Sequence, residues 1–423
     1  MKKMLILGAG TGGTIIANQL SKKLDLKEWS ITIIDKASEH YYQPGFLFLP
    51  FKLYGYETRA DVTKPIKKPL PSGVNFLTEE IKLIDHKNNK VETNKGTHDY
   101  DWLILALGTH VAPSEIEGLE ESFGENANTF YTLEGALSLQ KSFENFKGGR
   151  VILNIAEMPI KCPVAPIEFV FLADYYFHKR NMRDQVEIDL VTPLTGAFTK
   201  PEATRILDGI ASEKNIKIIP NFNIGKVDGE KKTISSFTGE TINYDLLVSI
   251  PPNLGPEVID DSGLGNGAGF ALTDKHTLKS TIANNIYVIG DNTNVPTSKA
   301  GSVAHFEAEI IIENLLRELK GDNPLPDYDG HSNCFIESGF HKALLFDFNY
   351  DTQPLAGTFP IPGVGPFSLL KESHLNHLGK MGFKWIYWNM LLTGHLPGDP
   401  LLPAQMSRYG KDFSPITEDV GIK

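Results

Sequence analysis

The sequence predicts an α/β protein of two Rossmann-like three-layer units, the second of them vestigial as a nucleotide binder, with a C-terminal amphipathic helical region. Three observations predict it. The glycine run Gly8-Ala9-Gly10-Thr11-Gly12-Gly13 sits between an apolar strand and a helical pattern at the N-terminus. A second alternation of strands and helices fills 151–250, yet its first strand runs into Lys161-Cys162-Pro163, where another glycine turn would be expected. The run Ile286-Tyr287-Val288-Ile289-Gly290-Asp291 then returns far downstream, as a chain does when one unit is inserted into another.

Taken in order, 4–7 reads as a buried strand, 14–24 as a helix and 29–35 as a second strand. Shorter strands near 75–105 end in the apolar run 100–109, which closes on Gly108. The second unit has a strand at 151–155, a helix from about 166 to 180 and a strand at 186–191. A helix near 202–214 and a strand at 216–219 follow, and 245–252 closes the unit. After 286–291 comes a helix from about 300 to 319, then a Pro/Gly/Asp-rich linker at 321–330. The expected domains are 1–110 with 271–320, an inserted 111–270, and 321–423.

Composition narrows the function classes. At 423 residues, two or three domains are expected, and 41% hydrophobic content is ordinary for a globular core. A net charge of −11 with no long basic run argues against nucleic-acid binding. Met1-Lys2-Lys3 is followed by too few apolar residues for a secretory signal, and no window reaches the length of a membrane-spanning helix. Two cysteines make no disulfide framework, so a catalytic use is the better expectation.

In Gly8-x-Gly10-x-x-Gly13 the first glycine permits the tight turn. The second lets the backbone approach a pyrophosphate, and the third lets the helix pack on the strand. Free N–H groups at the helix start then face the phosphates. Asp35, closing the second strand, is placed for ribose hydroxyls. Gly290-Asp291, at the end of a distant strand, suits the ribityl chain of FAD, which NAD lacks. The helix opening at Ala300-Gly301 would aim its positive end at the flavin. Thr11, Gly12, Lys36, Gln43, Pro44, Ile81, Ala106, Gly108, Thr109 and Lys299 complete the candidate cofactor-binding residues, and no metal-ligand spacing stands out.

Cys162 lies just before a helix whose first turn holds Pro166 and Glu168. Unpaired N–H groups and the helix dipole should favour its thiolate and lower its pKa, with Glu168 as a candidate base. Cys334 lies far away, in Ser332-Asn333-Cys334-Phe335-Ile336-Glu337. If the fold brings the two over one flavin face they can form a disulfide or hold sulfur between them. Two unrelated buried thiols is the bland alternative. From Leu375 onward, Leu378, Gly382, Phe383, Trp385, Ile386 and Met390 fall on one side of a helical projection and His377, Lys380 and Lys384 on the other. Such a helix fits a membrane interface, a core contact or a dimer contact.

With these residues on the page, the chain resembles the sulfide:quinone oxidoreductases. The resemblance rests on the glycine fingerprint, Tyr42-Gln43-Pro44-Gly45, Lys161-Cys162-Pro163-Val164-Ala165-Pro166-Ile167-Glu168-Phe169, Ile289-Gly290-Asp291, Lys299-Ala300-Gly301 and Cys334-Phe335-Ile336-Glu337-Ser338-Gly339. It implies a redox pair of Cys162 and Cys334 beside FAD, Glu168 as proton acceptor, sulfide and polysulfide as substrate and product, and a membrane quinone contacted by Phe335. It implies peripheral attachment to the bilayer through C-terminal helices, expected at the cytoplasmic face, with a homo-oligomer left open. Two departures stand out. There is no third cysteine, so non-covalent FAD is expected. The turn Thr192-Pro193-Leu194-Thr195-Gly196 lacks a histidine present in some members. The competing readings are a cytochrome-linked sulfide dehydrogenase, an NADH:quinone oxidoreductase, and a non-catalytic flavin-binding protein whose thiols report redox state.

Overall fold

The computed structural model describes residues 1–396 other than 125 and 362, together with 403–407 and 411; the rest of the expected C-terminal region, 397–402, 408–410 and 412–423, lies outside them. The apolar run Met4–Leu7, buried on both faces, gives β1 (Lys2–Leu7), and a β-branched alternation gives β2 (Trp29–Asp35). Between them α1 (Thr11–Lys23) starts directly from the glycine turn, three residues earlier than its apolar periodicity indicates. β3 (Val74–Thr78) and β4 (Trp102–Leu105) follow.

The inserted unit then runs through β5 (Ala127–Asn128), α2 (Leu133–Asn145), β6 (Gly149–Ile155), α3 (Ala165–Lys179) and β7 (Val186–Val191). It closes with α4 (Pro201–Glu213), β8 (Ile216–Ile219) and β9 (Leu246–Ile250). β10 (Ile286–Val288) returns the chain to the first sheet, and α5 (Gly301–Leu319) leaves it.

Two five-stranded parallel sheets result. The first has the order β10-β4-β1-β2-β3 and the second β5-β9-β6-β7-β8. The downstream run at 286 therefore pairs with β4, in register Ile286 to Leu103, which brings Gly290 and Asp291 beside the end of β1. Two three-stranded antiparallel sheets, 81–99 and 224–243, decorate the units. The 321–330 stretch is pinned, not free: Tyr328 is fully buried and its N–H donates to the His276 carbonyl (2.9 Å).

The C-terminal region is not helical throughout. It opens with two hairpins, β11 (Ser332–Gly339) with β12 (Lys342–Phe348) and β13 (Gly357–Ile361) with β14 (Gly365–Leu369), before α6 (His374–Ile386). Cys334 accordingly sits mid-strand opposite Phe346, in the main apolar core.

α6 packs the opposite way round from most surface helices. His377 is buried and Lys380 and Lys384 half-buried, whereas Leu375, Leu378 and Trp385 are 52%, 62% and 62% exposed. Gly379 makes that seating possible, since a Cβ there would meet the rings of Phe367 and Phe335 at 2.5 and 2.9 Å. Leu375, Leu378 and Trp385 therefore do not pack on the protein core, whereas Phe383 does. Among the described residues no helix is long and apolar enough to cross a membrane.

Candidate active site

A cavity of about 290 Å³ opens where the carboxyl ends of the first sheet meet α3, α5 and α6. Open α/β sheets bind ligands at such a crevice. Its wall contains Gly10, Thr11, Gly12, Asp35, Gln43, Pro44, Ala106, Gly108, Thr109, Gly290, Asp291, Lys299, Ala300 and Gly301. Gly8 and Gly13 act from behind the wall: a Cβ on Gly13 would lie 1.9 Å from the Gly8 carbonyl oxygen, and one on Gly8 2.2 Å from that of Ala106. The structure does not bring Lys36 or Ile81 to the wall, and Ile81 packs into the small apolar cluster with Ile84 and Val91.

The Asp35 carboxylate accepts the N–H groups of Ala9 (2.7 Å) and Ala37 (2.8 Å), which ties the glycine turn to β2. Glu307 of α5, absent from the sequence reading, accepts the Gly290 N–H (2.7 Å), and burial pushes its carboxyl up to about 7. Asn292, also missed, accepts the Gly108 N–H (3.0 Å) and so holds both strand ends together.

The wall fits a dinucleotide on structural grounds of its own. The buried Thr109 hydroxyl has no hydrogen-bond partner among the described residues. Asp291 is recessed, its pKa raised by burial and drawn back by Lys299 and Lys161. Lys299 is buried and donates to the Thr293 carbonyl (2.7 Å).

Cys162 lines the other end of this cavity, whereas Cys334 is off its wall. Cys162 adopts φ +46°, a left-handed conformation rare outside glycine and typical of strained functional positions. Its N–H donates to the Lys299 carbonyl (2.7 Å), and its carbonyl accepts from Ala165 N–H (2.9 Å). The expected lowering of its pKa is overturned: burial, with the Glu168 carboxylate adding, pushes the thiol up to about 12, against a smaller pull from Lys380 and the Ala165 N–H. Desolvation of a thiolate outweighs the helix-start contribution at this depth. Cys334 is buried in the same neighbourhood. Its thiol too is raised, by burial first and then by Cys162 and Glu168.

Glu168 is 1% exposed, ion-paired with Lys380, and accepts the Glu337 N–H (2.7 Å). Burial raises its pKa, with Lys380 opposing. Lys380 also donates to the Phe335 carbonyl (2.9 Å), and the Phe335 ring stands edge-on to Phe367 at 5.1 Å. Phe335 itself is off the cavity wall; Lys380, Phe383 and Tyr387 line it from the C-terminal side. The Tyr387 hydroxyl bonds both Thr11 Oγ1 (2.7 Å) and His40 Nε2 (2.6 Å), latching the C-terminal segment to the glycine turn. Lys380 was visible in the sequence only as a polar-face lysine, and its partner is 212 residues away.

Comparison with known proteins bears on the family and the fold. The model of the family described as pyridine nucleotide-disulphide oxidoreductase matches residues 2–147. The mitochondrial sulfide:quinone oxidoreductase of Dictyostelium discoideum is 30% identical over 404 residues, covering 93% of this chain and 86% of its own. Its namesake from Mus musculus is 28% identical, with 95% and 88% covered. A type II NADH:quinone oxidoreductase of Staphylococcus aureus is 32% identical, with 84% and 91% covered. Among solved structures, the sulfide:quinone oxidoreductase of Aquifex aeolicus superposes with a TM-score of 0.74 at 22% identity, covering 92% of each chain. At that identity the structural likeness bears on the fold.

Proposed function

The chain belongs to the sulfide:quinone oxidoreductase family, and on that premise we propose that it oxidises sulfide to sulfur or polysulfide at a Cys162–Cys334 pair and delivers two electrons, by way of FAD, to a membrane quinone. The observation that carries the reading is Cys162, Glu168 and Lys380 together on one end of the cavity wall, with Cys334 buried near enough for its thiol to feel all three. Bound FAD would supply a two-electron acceptor that can be reoxidised by a quinone. Gly10, Gly12, Asp35 and Asp291 would hold it without a covalent bond.

The residues' own chemistry follows from their placement. Hydrosulfide opens a sulfur bridge between the cysteines: one S–S bond breaks, another forms to the incoming sulfur, and the freed cysteine leaves as thiolate. Lys380 lowers the cost of that charge, as its opposing effect on both thiols indicates. Glu168, with a raised pKa, accepts the proton released from the incoming sulfur. Closing the bridge again, with sulfur retained or expelled, releases the electron pair.

The same arrangement speaks against NADH as donor. In the second unit, β6 leads into a segment with no glycine turn, and the start of α3 is turned onto Cys162 and Glu168. Sulfide should bleach the flavin of the purified protein and a soluble quinone should restore it. Fast bleaching by NADH and none by sulfide would reverse the assignment.

A lipid surface is the natural seat for α6. Its outward Leu375, Leu378 and Trp385 are exposed, as are Ile361 and Val364 at the β13–β14 turn, while Phe383 on the same helix reaches the cavity. Leu378→Glu with Trp385→Glu is expected to leave folding unchanged, since both side chains are exposed, and to weaken vesicle co-sedimentation by about tenfold per residue. Undiminished sedimentation would remove α6 from membrane contact.

A further inference from the structure

Two ionisable side chains that the reaction above does not use lie on a line from the cavity to the surface. Glu337, on β11, is wholly buried, and its N–H holds Glu168. Its carboxylate accepts from His377 Nδ1 (2.9 Å to the nearer oxygen) and from the Tyr54 hydroxyl (3.3 Å). His377 and Lys380 are one turn apart on α6, so the helix presents His377 to Glu337 and Lys380 to Glu168. Beyond His377 stands His341, edge-on at 5.3 Å, exposed to solvent and bonded through Nε2 to the Tyr175 hydroxyl (3.2 Å). The Tyr54 ring packs on both histidines, with centroids 4.8 Å from His377 and 5.6 Å from His341.

The proposed reaction, on which this inference rests, has an unmet proton requirement. Hydrosulfide oxidised to sulfur yields two electrons and one proton, and quinone reduction consumes two electrons and two protons. The sum is HS⁻ + Q + H⁺ → S + QH₂, so one proton per turnover comes from outside. Glu168 is buried beneath α6 and cannot take it directly from bulk water. We infer that the Glu337–His377 pair, flanked by Tyr54 and reaching solvent at His341, is the path by which that proton enters the site. The titratable groups facing the pair are Glu168 and Tyr175 from α3, Lys380 from α6, Tyr54, and His341 from the β11–β12 turn, whose carbonyl accepts from His374 Nδ1 (2.7 Å). A buried carboxylate–imidazole pair carries a desolvation cost that packing alone does not need.

Glu337→Gln, which keeps the shape and an acceptor for His377, and His377→Ala test the path in the flavin-loaded protein. Bleaching by sulfide stays within about twofold of wild type. Reoxidation by quinone slows by about tenfold or more, as when a positioned proton donor is removed. Proton uptake in a single turnover, followed with a pH-indicator dye, slows in step, the loss deepens as pH rises, and added imidazole restores part of the rate in His377→Ala. Wild-type reoxidation, uptake and pH profile in both variants overturn the path. If neither variant folds, His341→Gln at the exposed end carries the test: slowed uptake supports the path and unchanged uptake overturns it. A wild-type flavin that sulfide never bleaches refutes the underlying reaction, whereas normal wild-type turnover with undisturbed variants refutes the path alone.

Discussion

Cys162→Ser is expected to keep its flavin and to lose sulfide-driven bleaching by about a thousandfold or more, the scale on which loss of a covalent nucleophile is felt. Serine nearly matches cysteine in size and leaves the N–H bond to the Lys299 carbonyl intact, so a folding defect is not the expected outcome. What it removes is sulfur chemistry. With burial pushing its pKa up to about 12, the free thiol is held protonated at neutral pH. A mechanism that began with attack by this thiolate would be slow. Attack by hydrosulfide on a sulfur already bridged to Cys334 needs no such ionisation, and the leaving thiolate forms within reach of the Lys380 charge. Stopped-flow absorbance of the flavin measures the effect, and bleaching of Cys162→Ser at the wild-type rate would take the cysteine out of the chemistry.

The parts of this molecule legible in its sequence are those dictated by local pattern. β2 and β7 were read to the residue because each is a short run rich in β-branched residues and bounded by polar turns. The glycine turn and Asp35 were read because dinucleotide binding requires those residue types in that order. What was misread depends on tertiary partners. Amphipathicity of α6 was evident, but periodicity does not say which face meets the protein; buried Glu168 and Glu337 decide it by drawing Lys380 and His377 inward. The sign of the Cys162 shift failed for the same reason, since a helix start is local and desolvation is not. The β11–β12 and β13–β14 hairpins were missed because the C-terminal region was read as helical from the amphipathic pattern that begins only at Leu375. The contact of Tyr387 with Thr11, across 376 residues, leaves no trace in either segment alone.

Lys380→Met is expected to cost about 3–5 kcal/mol of folding stability near neutral pH, because it leaves a buried carboxylate without its counter-charge. Methionine replaces most of the aliphatic stem, so the loss is electrostatic rather than a cavity effect. Its pH dependence has a definite sign. The folded-state pKa of Glu168 is already raised, by burial first, with Lys380 and the Glu337 N–H pulling it down and the Glu337 carboxylate adding to the rise. Without Lys380 it climbs further. A carboxyl whose folded pKa exceeds its unfolded value binds more protons in the native state, so stability falls as pH rises through that window. Below the usual carboxylate range Glu168 is neutral folded or unfolded, and the variant's deficit should shrink to the lost bond with the Phe335 carbonyl. Through neutral pH the deficit should widen. Denaturant unfolding across pH measures it, and adding Glu168→Gln to the variant should recover the pH-dependent part. A deficit that stayed constant with pH, or survived in the double variant, would mean that Lys380 supports α6 by packing and that Glu168 does not need its charge.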